Sequence, residues 1–227
     1  MKRKKHIKAR IRFNRMLMVF LCICFLATGY GLINNFYENV VAAFRHTDTE
    51  WIDISRDMTG GIPRLYQTDR RWAEKQYGTN VMEINGCGPT CLSMVYCGLT
   101  GDTKWNPYAV AKMAEENGYY VPGVGTSWDL MTEGAKKLGL KGEQMGLSEN
   151  AIRNSLESGS PIICAMGPGD FTTEGHFIVL TGVNEEGKII VNDPNSEELS
   201  EKTWDLERLM GQMKNLWRYK ITKYVII

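Results

Sequence analysis

No charged residue occurs between Met16 and Tyr37, and most of that stretch, MLMVFLCICFLATGYGLI, is strongly apolar. At 1.5 Å per helical residue these 22 positions reach about 33 Å, against a bilayer hydrocarbon core of about 30 Å. Residues 38–60 are mixed and polar, and Gly60-Gly61-Ile62-Pro63 then interrupts any helix. They read as a tether ahead of a domain over residues 61–227. In that domain Leu92, Val95, Tyr96 and Leu99 recur at i, i+3, i+4 and i+7 after Gly88-Pro89. This is an amphipathic helix with proline in its first turn. Start and stop signals predict further helices from Asn106-Pro107 to Gly118, Thr126-Ser127 to Gly139, and Ser148 to Gly159.

The pattern then changes to short apolar runs. Residues 161–166, 176–183 and 188–192 read as strands, with Asn184-Glu185-Glu186-Gly187 as a hairpin turn between the last two. Trp217, Tyr219 and Ile221 alternate with Arg218 and Lys220, predicting one more strand. Helices first and strands later imply an α+β domain with an antiparallel C-terminal sheet.

Charge sharpens the picture. The composition, 43% hydrophobic and 23% charged, excludes disorder and collagen-like repeats. The net charge of +1 hides an asymmetry: residues 1–15 carry eight Lys or Arg and no acid, which leaves 19 bases against 26 acids beyond. An acidic domain argues against nucleic acid as a partner. The basic tail abutting an apolar segment predicts a cytoplasmic N-terminus, residues 16–37 as a signal anchor, and the domain outside the cell. Ala27 and Gly29 also have the spacing of a cleavage site, so a cleaved signal peptide and a secreted product is the alternative.

Of six cysteines, Cys22 and Cys24 lie in the apolar segment, leaving Cys87, Cys91, Cys97 and Cys164 for the domain. Cys91 and Cys97 project from nearly opposite sides of one helix, so no disulfide framework is visible. No CxxC pair signals zinc, and no GxxxxGK[ST] run signals ATP. Cys91, Cys97 and Cys164 read as small buried hydrophobes. Trp72 reads as a core anchor, and Thr126-Ser127-Trp128 as a helix cap with a packed aromatic.

Cys87 differs, because Gly86-Cys87-Gly88-Pro89-Thr90 places its sulfur at a helix start, where the partial positive charge favours the anionic form of a thiol. His6 and His46 precede the domain, so His176 is the one histidine available to it. With a four-residue turn at 184–187, Val183 faces Lys188 and His176 falls opposite Asn195, or opposite Pro194 with a bulge at Gly187. Asp193 is then within two positions of His176 across the hairpin, close enough for a carboxylate to orient an imidazole.

These residues resemble those of the peptidase C39-like family of papain-fold cysteine peptidases. The resemblance rests on Gln67-Thr68-Asp69-Arg70-Arg71-Trp72, Gly86-Cys87-Gly88-Pro89-Thr90, Gly175-His176-Phe177-Ile178-Val179-Leu180 and Asn192-Asp193-Pro194-Asn195, and runs from about Ile62 to the C-terminus. It implies a papain-like fold with the cysteine on a helix and the histidine and aspartate on the sheet. It implies Cys87 as nucleophile, His176 as general base and acid, Asp193 as the orienter of the histidine, and Gln67 in the oxyanion hole. Val81 stands where some related peptidases place that glutamine. No cofactor is implied.

The function expected is therefore an extracytoplasmic, membrane-tethered cysteine hydrolase, a peptidase cleaving amide bonds through an acyl-enzyme. The partners expected are a peptide or other amide substrate and the membrane. Two alternatives stay open: a papain-fold amidase or acyltransferase of the cell envelope, and a non-catalytic peptide-binding module.

Overall fold

The computed structural model describes residues 52–222. The basic tail, the apolar segment at 16–37 and most of the expected tether lie outside them. Among the described residues no helix is long and apolar enough to cross a membrane. The last residues of the expected tether belong to the folded unit, which begins at Ile52. Ile52 and Ile54 are buried in the core, and a short 3-10 turn, Ser55–Asp57, follows. Arg71 staples that turn down, reaching Asp57 and Asp69 at 2.7 Å each.

The first half is mostly helical. A small hairpin of β1 (Gln76–Tyr77) and β2 (Asn80–Val81) leads into a one-turn helix, α1 (Met82–Asn85), and then into the central helix α2 (Cys87–Thr100). Helix α2 is buried almost all round along Gly88–Cys97, as a helix sandwiched between two layers must be. Helix α3 (Pro107–Glu116) packs beside it, capped by Asn106, whose side chain accepts the Ala109 N–H at 3.0 Å. The predicted helix from Thr126 to Gly139 is instead broken. A second small hairpin, β3 (Tyr120–Val121) and β4 (Gly125–Thr126), precedes a 3-10 turn at Trp128–Met131 and a short α4 (Glu133–Lys137). Ser127 caps as expected, accepting from Asp129 N–H. Thr132, at φ −115° and ψ −73°, separates the two turns.

The second half is a six-stranded antiparallel sheet in the order β5-β10-β6-β7-β8-β9. Its strands are β5 (Leu140–Gln144), β6 (Ile162–Met166), β7 (His176–Val183), β8 (Ile189–Asn192), β9 (Thr203–Trp204) and β10 (Met213–Ile221). Helix α5 (Glu149–Glu157), capped by Ser148, joins β5 to β6, and two short helices, α6 (Glu197–Glu201) and α7 (Leu206–Met210), flank β9. Alternation along the strands divides the apolar residues into two cores. Phe177, Val179 and Trp217 pack towards α2, whereas Ile178, Leu180 and Leu216 pack towards α5 and α7.

The β7–β8 hairpin corrects the predicted register near its turn. Val183 faces Ile189, not Lys188. Asn184 causes this: its Oδ1 accepts the N–H groups of Glu186 and Lys188, Gly187 takes φ +76°, and the turn consumes five residues. An irregularity between Leu180 and Gly182, not at Gly187, then restores the predicted pairing, so that Leu180 faces Val191 and Val179 faces Asn192.

Candidate active site

Cys87 is the first residue of α2, half-buried, with Gly86 as the cap in front of it. Gly86 N–H closes back on Met82 O at 2.8 Å, so α1 and α2 meet at a tight corner whose outer edge carries the sulfur. His176 opens β7 and is nine-tenths buried. Its Nε2 lies 2.7 Å from Asp193 Oδ1, and Cys87 is its second hydrogen-bonding neighbour. The three residues singled out in the sequence thus form one chain of contacts, thiol to imidazole to carboxylate. With Nε2 given to the carboxylate, Nδ1 is the nitrogen left for the sulfur.

Asp193 is held from behind, and nothing in the sequence announced how. The Asn195 N–H donates to the same Oδ1 at 2.8 Å, the Asp193 N–H donates to Ser200 Oγ at 2.8 Å, and the Ser200 hydroxyl lies 2.8 Å from Ser196 O. Ser200 is buried in α6, whose cap is Ser196. The turn after Asp193 and the helix following it therefore fix the carboxylate. On the other side Asn192 donates its side-chain N–H groups to Ile62 O and Pro63 O, tying β8 to the strap that enters the domain.

Burial alone would lower the pKa of His176, but hydrogen bonds to Asp193 and Cys87 and their charges outweigh it and hold the value up at about 10. The other cysteines are a different population. Cys91 and Cys164 lie in the interior with no exposed surface, and burial pushes both thiols well above their ordinary value. Burial likewise pushes Cys97 up to about 12. All four described cysteines are free thiols.

Gln67 is buried and spans the two halves of the site. Its backbone N–H donates to Pro194 O at 2.7 Å, beside Asp193, and its Nε2 donates to Glu83 O at 2.5 Å, in the helix that leads to Cys87. One N–H of that amide is left over, and Oε1 is buried without a partner. Trp72, fully buried, donates its indole N–H to Tyr66 O and anchors the Gln67 segment in the core.

The loop into His176, residues 167–175, is pinned by Asp170. Arg208 and Gln212 donate to its carboxylate, and the Asp170 N–H donates to Gln212 Oε1 at 2.7 Å. Hydrogen bonding from Arg208 holds the Asp170 pKa down at about 2, against the opposing effect of burial. Among the described residues no group of three or more His, Cys, Asp or Glu is placed to hold a metal ion. Such an arrangement, a partly open sulfur beside a buried imidazole with a fixed carboxylate, is suited to nucleophilic attack on a carbonyl carbon.

The peptidase C39-like family model matches residues 59–227. Among solved structures, the peptidase domain of Streptococcus ComA, a bi-functional ABC transporter involved in quorum sensing, is 20% identical with a TM-score of 0.45, over 59% of this chain and 89% of that one. A C39-like peptidase from Bacillus anthracis is 19% identical with a TM-score of 0.38, over 73% of this chain and 95% of that one. No curated protein matches.

Proposed function

The chain belongs to the peptidase C39-like family, and from that premise we propose that it is a cysteine peptidase whose nucleophile is Cys87, with His176 as acid and base, Asp193 as the residue that orients it, and Gln67 as an oxyanion donor. The observation that carries the proposal is the contact chain from Cys87 through His176 to Asp193, with 2.7 Å between Nε2 and Oδ1. The raised imidazole pKa favours the protonated form of His176, and as the sulfur attacks, His176 takes up the thiol proton.

The Cys87 sulfur attacks the amide carbonyl carbon, and the carbonyl oxygen takes up the electron pair. The free N–H of Gln67 donates to that oxyanion. Collapse of the intermediate breaks the C–N bond, and His176 delivers its proton to the leaving amine. Neutral His176 then takes a proton from water as the water attacks the thioester, and returns it to the sulfur as the acid leaves.

We also propose that this chemistry faces outward from a membrane. The support is sequence alone: eight basic residues before an uncharged stretch of 22.

The test is per-cysteine iodoacetamide labelling of the full chain at pH 6, followed by mass spectrometry. Cys87 is expected to react faster than glutathione does at the same pH, with that advantage lost in His176→Ala. Labelling of Cys87 no faster than glutathione would overturn the nucleophile assignment and leave a peptide-binding module as the better reading.

A further inference from the structure

His176 occupies the last row of the sheet. It faces Met166 on β6, and Met166 in turn faces Met213 on β10, so that Met213, Met166 and His176 form one row at the end of three strands. Strand β8 gives no support there, because its ladder with β7 stops at Val179. Beyond the row, β6 and β7 are joined by nine residues, 167–175, that contain no helix or strand. A connection longer than an ordinary hairpin turn lets the pairs beside it open, and His176 would be the first residue of β7 to go.

Gln212, the residue before Met213, closes this end. Its carbonyl accepts the Gly167 N–H at 2.7 Å, one step past the row. Its side-chain amide is engaged through the oxygen and the nitrogen alike: Oε1 accepts the Asp170 N–H at 2.7 Å, and Nε2 donates to Asp170 Oδ2 at 2.6 Å and to Arg208 O at 3.1 Å. Arg208 donates to both carboxylate oxygens of Asp170 from the other side. The amide lies so close to the Gly169 backbone that a Cβ there would not fit beside Oε1. Phe171, buried against Trp204 with ring centroids 4.6 Å apart, anchors the next position. Only residues 172–175 then separate the anchored part of the loop from the histidine.

We propose that Gln212 is a positioning residue for His176. By gripping Gly167 and Asp170 it stands in for the strand pairs that end at the Met213, Met166 and His176 row, and so keeps the imidazole on the line between Cys87 and Asp193. Its hydrogen bonds reach the loop and not the imidazole, so it acts through the backbone that delivers the histidine. A shift of about 1 Å at a reacting group can cost about 10²-fold in rate. The consequence for catalysis rests on the cysteine-peptidase reading, whereas the hold on the end of β7 is measured without substrate.

Two variants release the loop from opposite sides. Gln212→Glu sets a carboxylate oxygen against Asp170 Oδ2 and Arg208 O, and Gly169→Ala, at a glycine without positive φ, displaces the amide while leaving Gln212 in place. The double variant Asp170→Asn, Gln212→Glu exchanges carboxylate and amide and restores an N–H between them. In the full chain, in lipid nanodiscs, amide hydrogen exchange read by mass spectrometry should quicken by at least about tenfold at residues 176–178 in both single variants, with residues 179–183, which β8 also holds, unchanged. Iodoacetamide labelling of Cys87 at pH 6 should slow by at least about tenfold in the same variants. The double variant should return both readings to within about threefold of the parent. Exchange at 176–178 unmoved in both single variants overturns the proposal, as does an equal rise throughout β6, β7 and β8, which is the pattern of a merely structural residue. Quicker exchange with labelling unmoved in a reactive parent also overturns it, because the strand end would have loosened without moving the histidine. A parent Cys87 no faster than glutathione, with exchange at 176–178 released in the single variants and restored in the double, would sink the peptidase chemistry and keep the hold on His176.

Discussion

His176 and Asp193 meet at 2.7 Å although the ladder joining their strands stops at Val179 and Asn192, three residues short of the histidine. The contact is therefore made by side chains and by the turn after β8, not by strand pairing. Because Asp193 Oδ1 already accepts the Asn195 N–H, the carboxylate oxygen is aimed before the imidazole arrives. A group prepared in this way loses little entropy on engaging its partner.

Replacing Asp193 separates aiming from charge. Asp193→Asn keeps an oxygen for Nε2–H and for Asn195, but removes the negative charge that helps hold the His176 pKa near 10. Peptide hydrolysis at pH 6 is expected to fall by no more than about tenfold, with the alkaline limb of kcat/KM moved to lower pH. Asp193→Ala removes both effects and should cost about 10²–10⁴, the range of a misplaced acid-base group. Equal losses in the two variants would show that charge alone matters.

The same shift makes a prediction about folding. An imidazole whose pKa rises from 6.5 to about 10 on folding binds its proton more tightly in the native chain. Its stabilisation is complete below about pH 6.5 and is lost as the pH climbs through about 10. Urea midpoints measured at pH 6, 8 and 10 should therefore fall more steeply in the parent than in His176→Gln. Parallel pH profiles would contradict the raised value.

Much of this was legible in the sequence, for physical reasons that also mark the limits. Asn106-Pro107 and Ser148 announce helices because capping is local, and the β6–β7–β8 runs announce themselves because both their faces are buried. Strand β5 escaped: in Leu-Lys-Gly-Glu-Gln only Leu140 is buried, and an edge strand needs no continuous apolar run. The break at Thr132 escaped because cap and stop signals fix the ends of a helix, not its continuity. At the site, residue types gave the thiol, imidazole and carboxylate. The Gln67 bridge to Glu83 and Pro194, the Ser200 brace and the approach of Thr126 to Gly88 join segments far apart in the chain, and no local pattern encodes them.

The approach at Gly88, where an added Cβ would lie 2.7 Å from Thr126 Cγ2, has a cost that can be relieved in part. Alanine in a helix is favoured over glycine by about 1 kcal/mol. Overpacking costs about 1–3 kcal/mol, and Thr126 cannot easily retreat while its hydroxyl holds Tyr77. Gly88→Ala should therefore destabilise the parent. In a Thr126→Ser background, which deletes Cγ2 and leaves Cβ and Oγ1 each 3.0 Å from the added methyl, the same change should cost less. Urea denaturation of the four chains closes the cycle, and an identical effect of Gly88→Ala in both backgrounds would locate the clash elsewhere.

Gln67 poses the sharpest choice between clamp and catalyst. Its Nε2 holds Glu83 O, a bond worth about 1 kcal/mol net, while its buried Oε1 lacks a partner, a penalty of about 1–3 kcal/mol. Gln67→Leu removes both and keeps the bulk, so the two effects largely offset and the urea midpoint should move little. A residue that only clamps would then cost little activity when replaced. An oxyanion donor would cost about 10²–10³ in kcat, yet leave iodoacetamide labelling of Cys87 unchanged, because alkylation forms no oxyanion. We expect the second pattern on any peptide the parent hydrolyses. A loss of kcat below about tenfold would reduce Gln67 to a brace between the Asp193 turn and the Cys87 helix, and the search for the donor would move to the backbone around Gly86 and Cys87.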